Sequence, residues 1–265
     1  MHYPTIIYTK KDHIAHVTLN RPEADNIINR QLVQDLEDIC CGINQDDSIY
    51  AVVITGAGDE AFCGGNELER LVQTGNTTEA SSAILKDRGA KYNVATAIAG
   101  IDQPVIAAIN GDALGQGLEL ALSCDVRLTS PQARFGFPQV ASGLIPMDGG
   151  TQRLPRLIGK GKALELILTA KTISAQDAFE IGLVSQIISQ QNLALEVETL
   201  AQTIASKAPI ALRYTKEAVN KGLDLTLQQG LRLEADLYFL LHTTADRTEG
   251  IKAFLQKRPP RFKGQ

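Results

Sequence analysis

PVIAAINGDALGQGLELALSCDVRLTS, residues 104–130, runs from an apolar segment through a glycine turn into a second apolar segment. Its first apolar run, Val105 to Ile109, is short and unbroken, as in a strand buried on both faces. Gly115-Gln116-Gly117 follows, and then Leu118, Leu120, Ala121 and Leu122 read as an apolar helix. A strand, a glycine turn and a helix in succession make one unit of an α/β fold. The helix that opens at such a turn leaves its first amides outside its own hydrogen-bond ladder. Those amides, with the helix dipole, favour an anion or a developing oxyanion. Taken alone, the turn need only reverse the chain.

The same grammar extends in both directions. AVVIT (51–55) is a second buried-strand run, and Gly64-Gly65 after it lead into Asn66 and a charged helical stretch. Neither glycine turn matches the dinucleotide fingerprint, and the P-loop pattern lacks its lysine. Upstream, Ala15, Val17 and Leu19 alternate with His16 and Thr18, which predicts a half-buried strand. From Ile28 the apolar positions Leu32, Leu36, Ile39 and Ile43 fall at helical spacing. Ser174 with Asp177 predicts a capping box. Beyond about residue 193 the strand signals stop. Val197, Leu200, Ala201 and Ile204 mark one helix, and Leu227, Leu231, Leu237 and Phe239 another.

Composition narrows the function classes. The 265 residues are 44% hydrophobic and 21% charged, ordinary for a globular protein able to bury a full core. A net charge of −4 argues against nucleic acid as the main partner. No apolar run approaches the ~20 residues of a membrane span, so no membrane partner is expected. The opening stretch lacks a charged segment followed by an apolar one, so no secretory leader is expected. Cys40, Cys41, Cys63 and Cys124 form no CxxC pair and read as reduced thiols of a cytoplasmic protein. The four histidines are scattered, which predicts no metal centre.

Five blocks carry a resemblance. NRPEADN (20–26), VVITGAGDEAFCGGNEL (52–68), residues 104–130, FGFPQVASGLIPMDGGTQRL (135–154) and AFLQKRPPRFKG (253–264) stand in order and spacing similar to the crotonase superfamily of enoyl-CoA hydratases and isomerases. The likeness covers essentially the whole chain. It implies an α/β fold, a crotonase-like spiral of ββα units with a C-terminal α-helical oligomerisation region. The implied division is a spiral core with the CoA-ester site, residues 1–192, and a helical region, 193–265, that mediates trimerisation and covers the active site. The implied partners are an acyl-CoA thioester substrate and further copies of the chain, as a homotrimer or a hexamer built as a dimer of trimers. No cofactor is implied, because coenzyme A arrives as part of the substrate.

The resemblance also assigns roles. The backbone N–H groups of Asn66 and Gln116 are the implied oxyanion donors, each worth ~3 kcal/mol at the transition state. The second position is commonly Gly in the family; Gln is tolerable there because the backbone donates. Glu119 matches the first of two glutamates that activate water, and a carboxylate beside an apolar acyl pocket is suited to acid/base work. The second glutamate falls at Gln139, which orients water or substrate and cannot act as an acid. Asp148 has two readings, an N-cap for the helix that follows or a replacement carboxylate, and they are not exclusive. Ala24, Gly65, Asn66, Glu67 and Leu68 are the implied coenzyme A contacts. Glu23 stands where a lysine is often found, so Lys257, Arg258 and Lys263 of the basic tail are the expected phosphate contacts. The expected activity is hydration or dehydration of a 2-enoyl-CoA or dienoyl-CoA. The alternatives are double-bond isomerisation and a CoA-ester-binding oligomer without turnover.

Overall fold

A computed structural model describes residues 3–67 and 93–265. Strands β1 (Ile6–Lys11) and β2 (Ile14–Leu19) form an antiparallel hairpin. Its two-residue link, Asp12-His13, holds both residues at positive φ, 48° and 67°, the backbone that matches the twist of paired strands. Helix α1 (Arg30–Asn44) opens on Asn29, whose side chain accepts from Leu32 N. Leu32, Leu36, Ile39 and Ile43 are buried along one face, as their spacing predicts. At such a position Leu36→Ala costs ~2–5 kcal/mol.

From β3 (Ala51–Gly56) onward, successive turns of the chain give one strand to each of two sheets. β4 (Ala61–Cys63), β5 (Val105–Ile109), β6 (Asp112–Leu114), β7 (Val126–Thr129), β8 (Arg134–Gly136), β9 (Thr172–Ser174) and β10 (Gln186–Ile187) follow. The larger sheet has the order β1-β2-β3-β5-β7-β10, the smaller β4-β6-β8-β9. Asn110 pins the corner between them: Oδ1 accepts from Gly56 N at 3.0 Å and Nδ2 donates to Gly58 O at 2.7 Å. Among the described residues the further helices are α2 (Val94–Ala99), α3 (Gln116–Ser123), α4 (Gly150–Ile158), α5 (Lys160–Thr169), α6 (Ala175–Glu180), α7 (Gln190–Ala205), α8 (Pro209–Gly222), α9 (Leu227–Leu241) and α10 (Ala245–Leu255). This is the expected α/β spiral with a helical C-terminal region.

Both faces of the larger sheet are covered, which is why β3 and β5 read as unbroken apolar runs. One face joins the main core with α1, α2 and α3. The other packs on α7, through Leu193, Val197 and Ala201 against Ile14, Val53, Ile106 and Leu128. Leu193, where the helical region is expected to begin, therefore lies inside a helix seated on the sheet. Ser174 and Asp177 make the expected capping box at α6. Helix α8 packs against α9 and is tied to the sheet end by Lys216, whose Nζ meets Asp125 Oδ2 at 2.8 Å and Gln103 O at 2.9 Å. Helix α9 buries Leu237 and leaves Leu227, Leu231, Tyr238 and Phe239 exposed. Among the described residues, no helix is long and apolar enough to cross a membrane.

Candidate active site

Strands β4, β6 and β8 lie side by side and parallel, so their C-terminal ends open at one edge of the smaller sheet. Parallel sheets present ligand sites at that edge. The three ends lead into Gly64-Gly65-Asn66, Gly115-Gln116 and Phe137-Pro138-Gln139, which gathers blocks far apart in sequence. Gly117 lets the first two meet, because a Cβ there would collide with the carbonyl oxygen of Cys63. Gly115 takes φ 53° as N-cap of α3, a backbone a side chain would strain.

The peptide of Asn66 is oriented by pairing with the 25–28 segment. Ile28 N donates to Gly65 O at 2.8 Å and Glu67 N donates to Ile28 O at 3.0 Å. In such a parallel bridge the intervening residue turns its own N–H to the opposite side. Gln116 is the first residue of α3, so its N–H belongs to the opening amides of that helix.

Four polar side chains converge here, Asn66, Gln116, Glu119 and Asp148; all are buried, as is Gln139. Glu119 sits on the first turn of α3, and its Oε1 accepts from Asp148 N at 2.8 Å and Gly150 N at 2.7 Å. Asn66 Nδ2 donates to Gln116 Oε1 at 2.7 Å, and Gln116 Nε2 donates to Asp148 Oδ2 at 3.2 Å. Gln139 lies in the short 3-10 helix Pro138–Ser142 that follows β8.

Asp148 requires a correction. The N-cap of α4 is Gly149, which has no side chain to cap with, and the first amide of the helix, Gly150 N, donates to Glu119. The Asp148 carboxylate instead caps α2 from across the fold, accepting from Ala95 N at 2.7 Å and from Thr96 Oγ1 at 3.2 Å. Burial pushes its pKa above the ordinary carboxylate range, while bonds from Ala95, Gln116 and Thr96 pull the other way. The sequence reading also treats Gln116 as a backbone donor alone and misses the part its side chain plays. The available signal is three polar residues, Asn66, Gln116 and Asp148, set inside glycine-rich or apolar blocks.

The expected coenzyme A contacts fall into two groups. Ala24 is half-buried beside the 64–67 turn, where Gly64 N donates to Asp25 O at 2.9 Å. Arg21 Nη2 lies 3.2 Å from Glu67 Oε1, closing the same corner with Gly65 and Asn66. Leu68 lies outside the described residues. Lys257 and Lys263 are exposed on a tail that folds back over α10. Asp246 accepts from Lys263 N at 2.7 Å and Gly264 N at 2.8 Å, and Glu249 takes a two-point ion pair from Arg258 at 2.6 and 2.9 Å. Arg258, expected at a phosphate, is thus engaged within the chain.

The family model for enoyl-CoA hydratase/isomerase matches residues 9–265, nearly the entire chain. The chain belongs to this family. A crotonyl-CoA hydratase of Syntrophomonas wolfei is 39% identical over 263 residues, covering 99% of each chain. A short-chain-enoyl-CoA hydratase of Clostridium acetobutylicum is 36% identical over 258 residues, covering 97% of each. The crystal structure of an enoyl-CoA hydratase from Bacillus anthracis superposes with a TM-score of 0.89 at 39% identity, covering 98% of this chain and 100% of the other. The expected enzyme class, an enoyl-CoA hydratase/isomerase-type lyase, stands. Within this family framework the edge formed by β4, β6 and β8 is the candidate active site, because the blocks 52–68, 104–130 and 135–154 meet there.

Proposed function

We propose that this member of the family adds water reversibly across the double bond of a 2-enoyl-CoA, or of a dienoyl-CoA, through a thioester enolate. Glu119 takes a proton from water as the oxygen attacks C3 of the acyl group. The electron pair of the double bond moves onto the thioester oxygen, which the N–H groups of Asn66 and Gln116 stabilise. The enolate then collapses, and the protonated Glu119 returns the proton to C2. The amide of Gln139 orients the water and exchanges no proton. One carboxylate thus serves both half-steps, and the sum is the addition of one water.

The observation that carries this reading is the placement of Glu119 on the first turn of α3, one turn beyond Gln116. The helix that supplies an oxyanion N–H therefore also supplies the acid/base. The relatives named for crotonyl-CoA and short-chain enoyl-CoA favour a short acyl group. Asp148 is the weaker candidate for the acid, since its oxygens accept bonds from Ala95, Thr96 and Gln116. Ala24, Gly65, Asn66 and Glu67, with Leu68, are the proposed contacts for coenzyme A. Lys257 and Lys263 are proposed for its phosphates. Exposed Leu227 (79%), Phe239 (68%) and Phe254 (83%) support assembly of the 193–265 region into a trimer or a dimer of trimers. The cytoplasm is the proposed compartment.

The test is turnover of crotonyl-CoA in deuterated water, read by mass spectrometry and NMR. Hydration places one non-exchangeable deuterium at C2 of a 3-hydroxyacyl-CoA. Deuterium in an unhydrated product with a shifted double bond would transfer the reading to isomerisation. Recovery of unlabelled substrate across a panel of enoyl- and dienoyl-CoAs would overturn both.

A further inference from the structure

The side chain of Gln116 joins the two halves of the proposed oxyanion hole. It is fully buried, accepts from Asn66 Nδ2 at 2.7 Å and donates to Asp148 Oδ2 at 3.2 Å. Asn66 and Gln116 come from different turns, after β4 and after β6, fifty residues apart.

The direction of this chain is set at one end. The Asp148 carboxylate already accepts from Ala95 N and Thr96 Oγ1, and an ionised carboxylate only accepts. Gln116 must therefore present its NH2 to Asp148 and its oxygen to Asn66. Asn66 in turn must present its NH2 to Gln116. Flipping either amide would set like groups face to face, so the Asp148 carboxylate favours this one orientation of both side chains. Asp148 reaches Glu119 as well, through its own N–H.

We propose that Gln116 and Asp148 act as positioning residues, the Asp148–Gln116–Asn66 side chains forming a strap that fixes the spacing of the two backbone N–H groups aimed at the thioester oxygen. This rests on the oxyanion reading given above. A misplacement near 1 Å costs ~100-fold in rate, so a loosened strap should lower kcat by about 10-fold. Both substitutions leave the proposed coenzyme A contacts Ala24, Gly65, Asn66, Glu67 and Leu68 in place, so KM should stay within about 2-fold.

The experiment compares wild-type protein with Gln116→Met, which keeps the volume and loses both bonds, and with Asp148→Leu, which keeps the approximate shape and removes the acceptor of the Gln116 amide. The probe is butyryl-CoA carrying 13C at its carbonyl, a saturated thioester that cannot be hydrated, read by isotope-edited infrared difference spectroscopy. Wild-type protein should move the carbonyl stretch below its solution value. Both variants should return it part-way, with kcat on crotonyl-CoA down about 10-fold and KM steady. The double variant should be no worse than the more impaired single one, because one strap is broken only once. Melting temperatures are recorded for all. A lowered melting temperature with the wild-type carbonyl shift and kcat, in either variant, means plain packing and overturns the proposal. An unshifted carbonyl in wild-type protein would remove the oxyanion reading itself, a distinct failure.

Discussion

The carboxylate of Glu119 accepts the backbone N–H of Asp148 at 2.8 Å, and the N–H of Gly150 at 2.7 Å beside it. These donors stand at the entrance to α4, where opening amides lie outside the helix's own ladder. The contact does two things at once. It completes the start of α4, which no side chain caps from its own N-cap position, and it fixes the Glu119 rotamer without the help of substrate. A positioned acid/base needs that second property, because its proton partner must lie within hydrogen-bond reach.

Glu119→Gln should preserve these bonds in part, since the amide oxygen still accepts. The variant should fold and bind CoA esters, with KM little changed. Turnover should fall ~10²-fold or more, the usual scale for a lost general acid/base. Steady-state kinetics on the best substrate of an acyl-CoA panel decide it. Unchanged turnover would take Glu119 out of the mechanism.

Gln139→Glu addresses specialisation against decay. Two carboxylates facing one pocket raise each other's pKa, so Glu119 would be protonated more often and accept protons less well. The expected outcome is a fall in turnover of the best substrate without a large gain on crotonyl-CoA. Both substrates are measured in both proteins. A large gain on crotonyl-CoA at no loss elsewhere would mark the native site as a weakened two-glutamate hydratase.

The exposed apolar faces of α9 and α10 lead to an expectation about mass. Leu231, Phe239, Phe254 and Leu255 lie open to solvent in the single chain, more apolar surface than a monomer usually shows. Sedimentation equilibrium should give three or six copies at micromolar concentration. Phe239→Asp together with Leu231→Asp should reduce the mass if α9 is the interface. A stable wild-type monomer would refute the assembly.

The tail supplies a pH dependence with a definite sign. Arg258 beside Glu249 holds that carboxyl down at about 2, against 4.5 for an ordinary glutamate. A depressed carboxylate stabilises the native state fully above its unfolded pKa and loses that contribution as pH falls through the native one. The urea midpoint of wild-type protein should therefore exceed that of Glu249→Gln by a constant margin above pH 4.5, and the margin should close towards pH 2. A margin that persists at pH 2 would mean that the ion pair is not its source.

Much of the fold was legible because its signals are local. The spacing of Leu32, Leu36, Ile39 and Ile43 describes one helix face, and AVVIT and VIAAI describe strands with two covered faces. Helix α10 escaped because its apolar residues serve few contacts inside the chain: it buries Ala253 and Asp246. A helix with little core face leaves a weak periodic signal.

The strands at 15–19, 51–55 and 105–109, the helix face from Leu32 to Ile43, the two glycine turns, the capping box at Ser174 and the family blocks were legible along the chain, because each depends on residues close together in it. The sequence also singled out Glu119 and Gln139 by their place within those blocks. Only the tertiary structure decided that Asp148 caps α2 instead of α4, and that Gln116 links Asn66 to Asp148. Those contacts join positions 50, 53 and 32 residues apart. A side chain's hydrogen-bond partner is set by which turns the parallel strands β4 and β6 bring to one edge, and no local pattern carries that information.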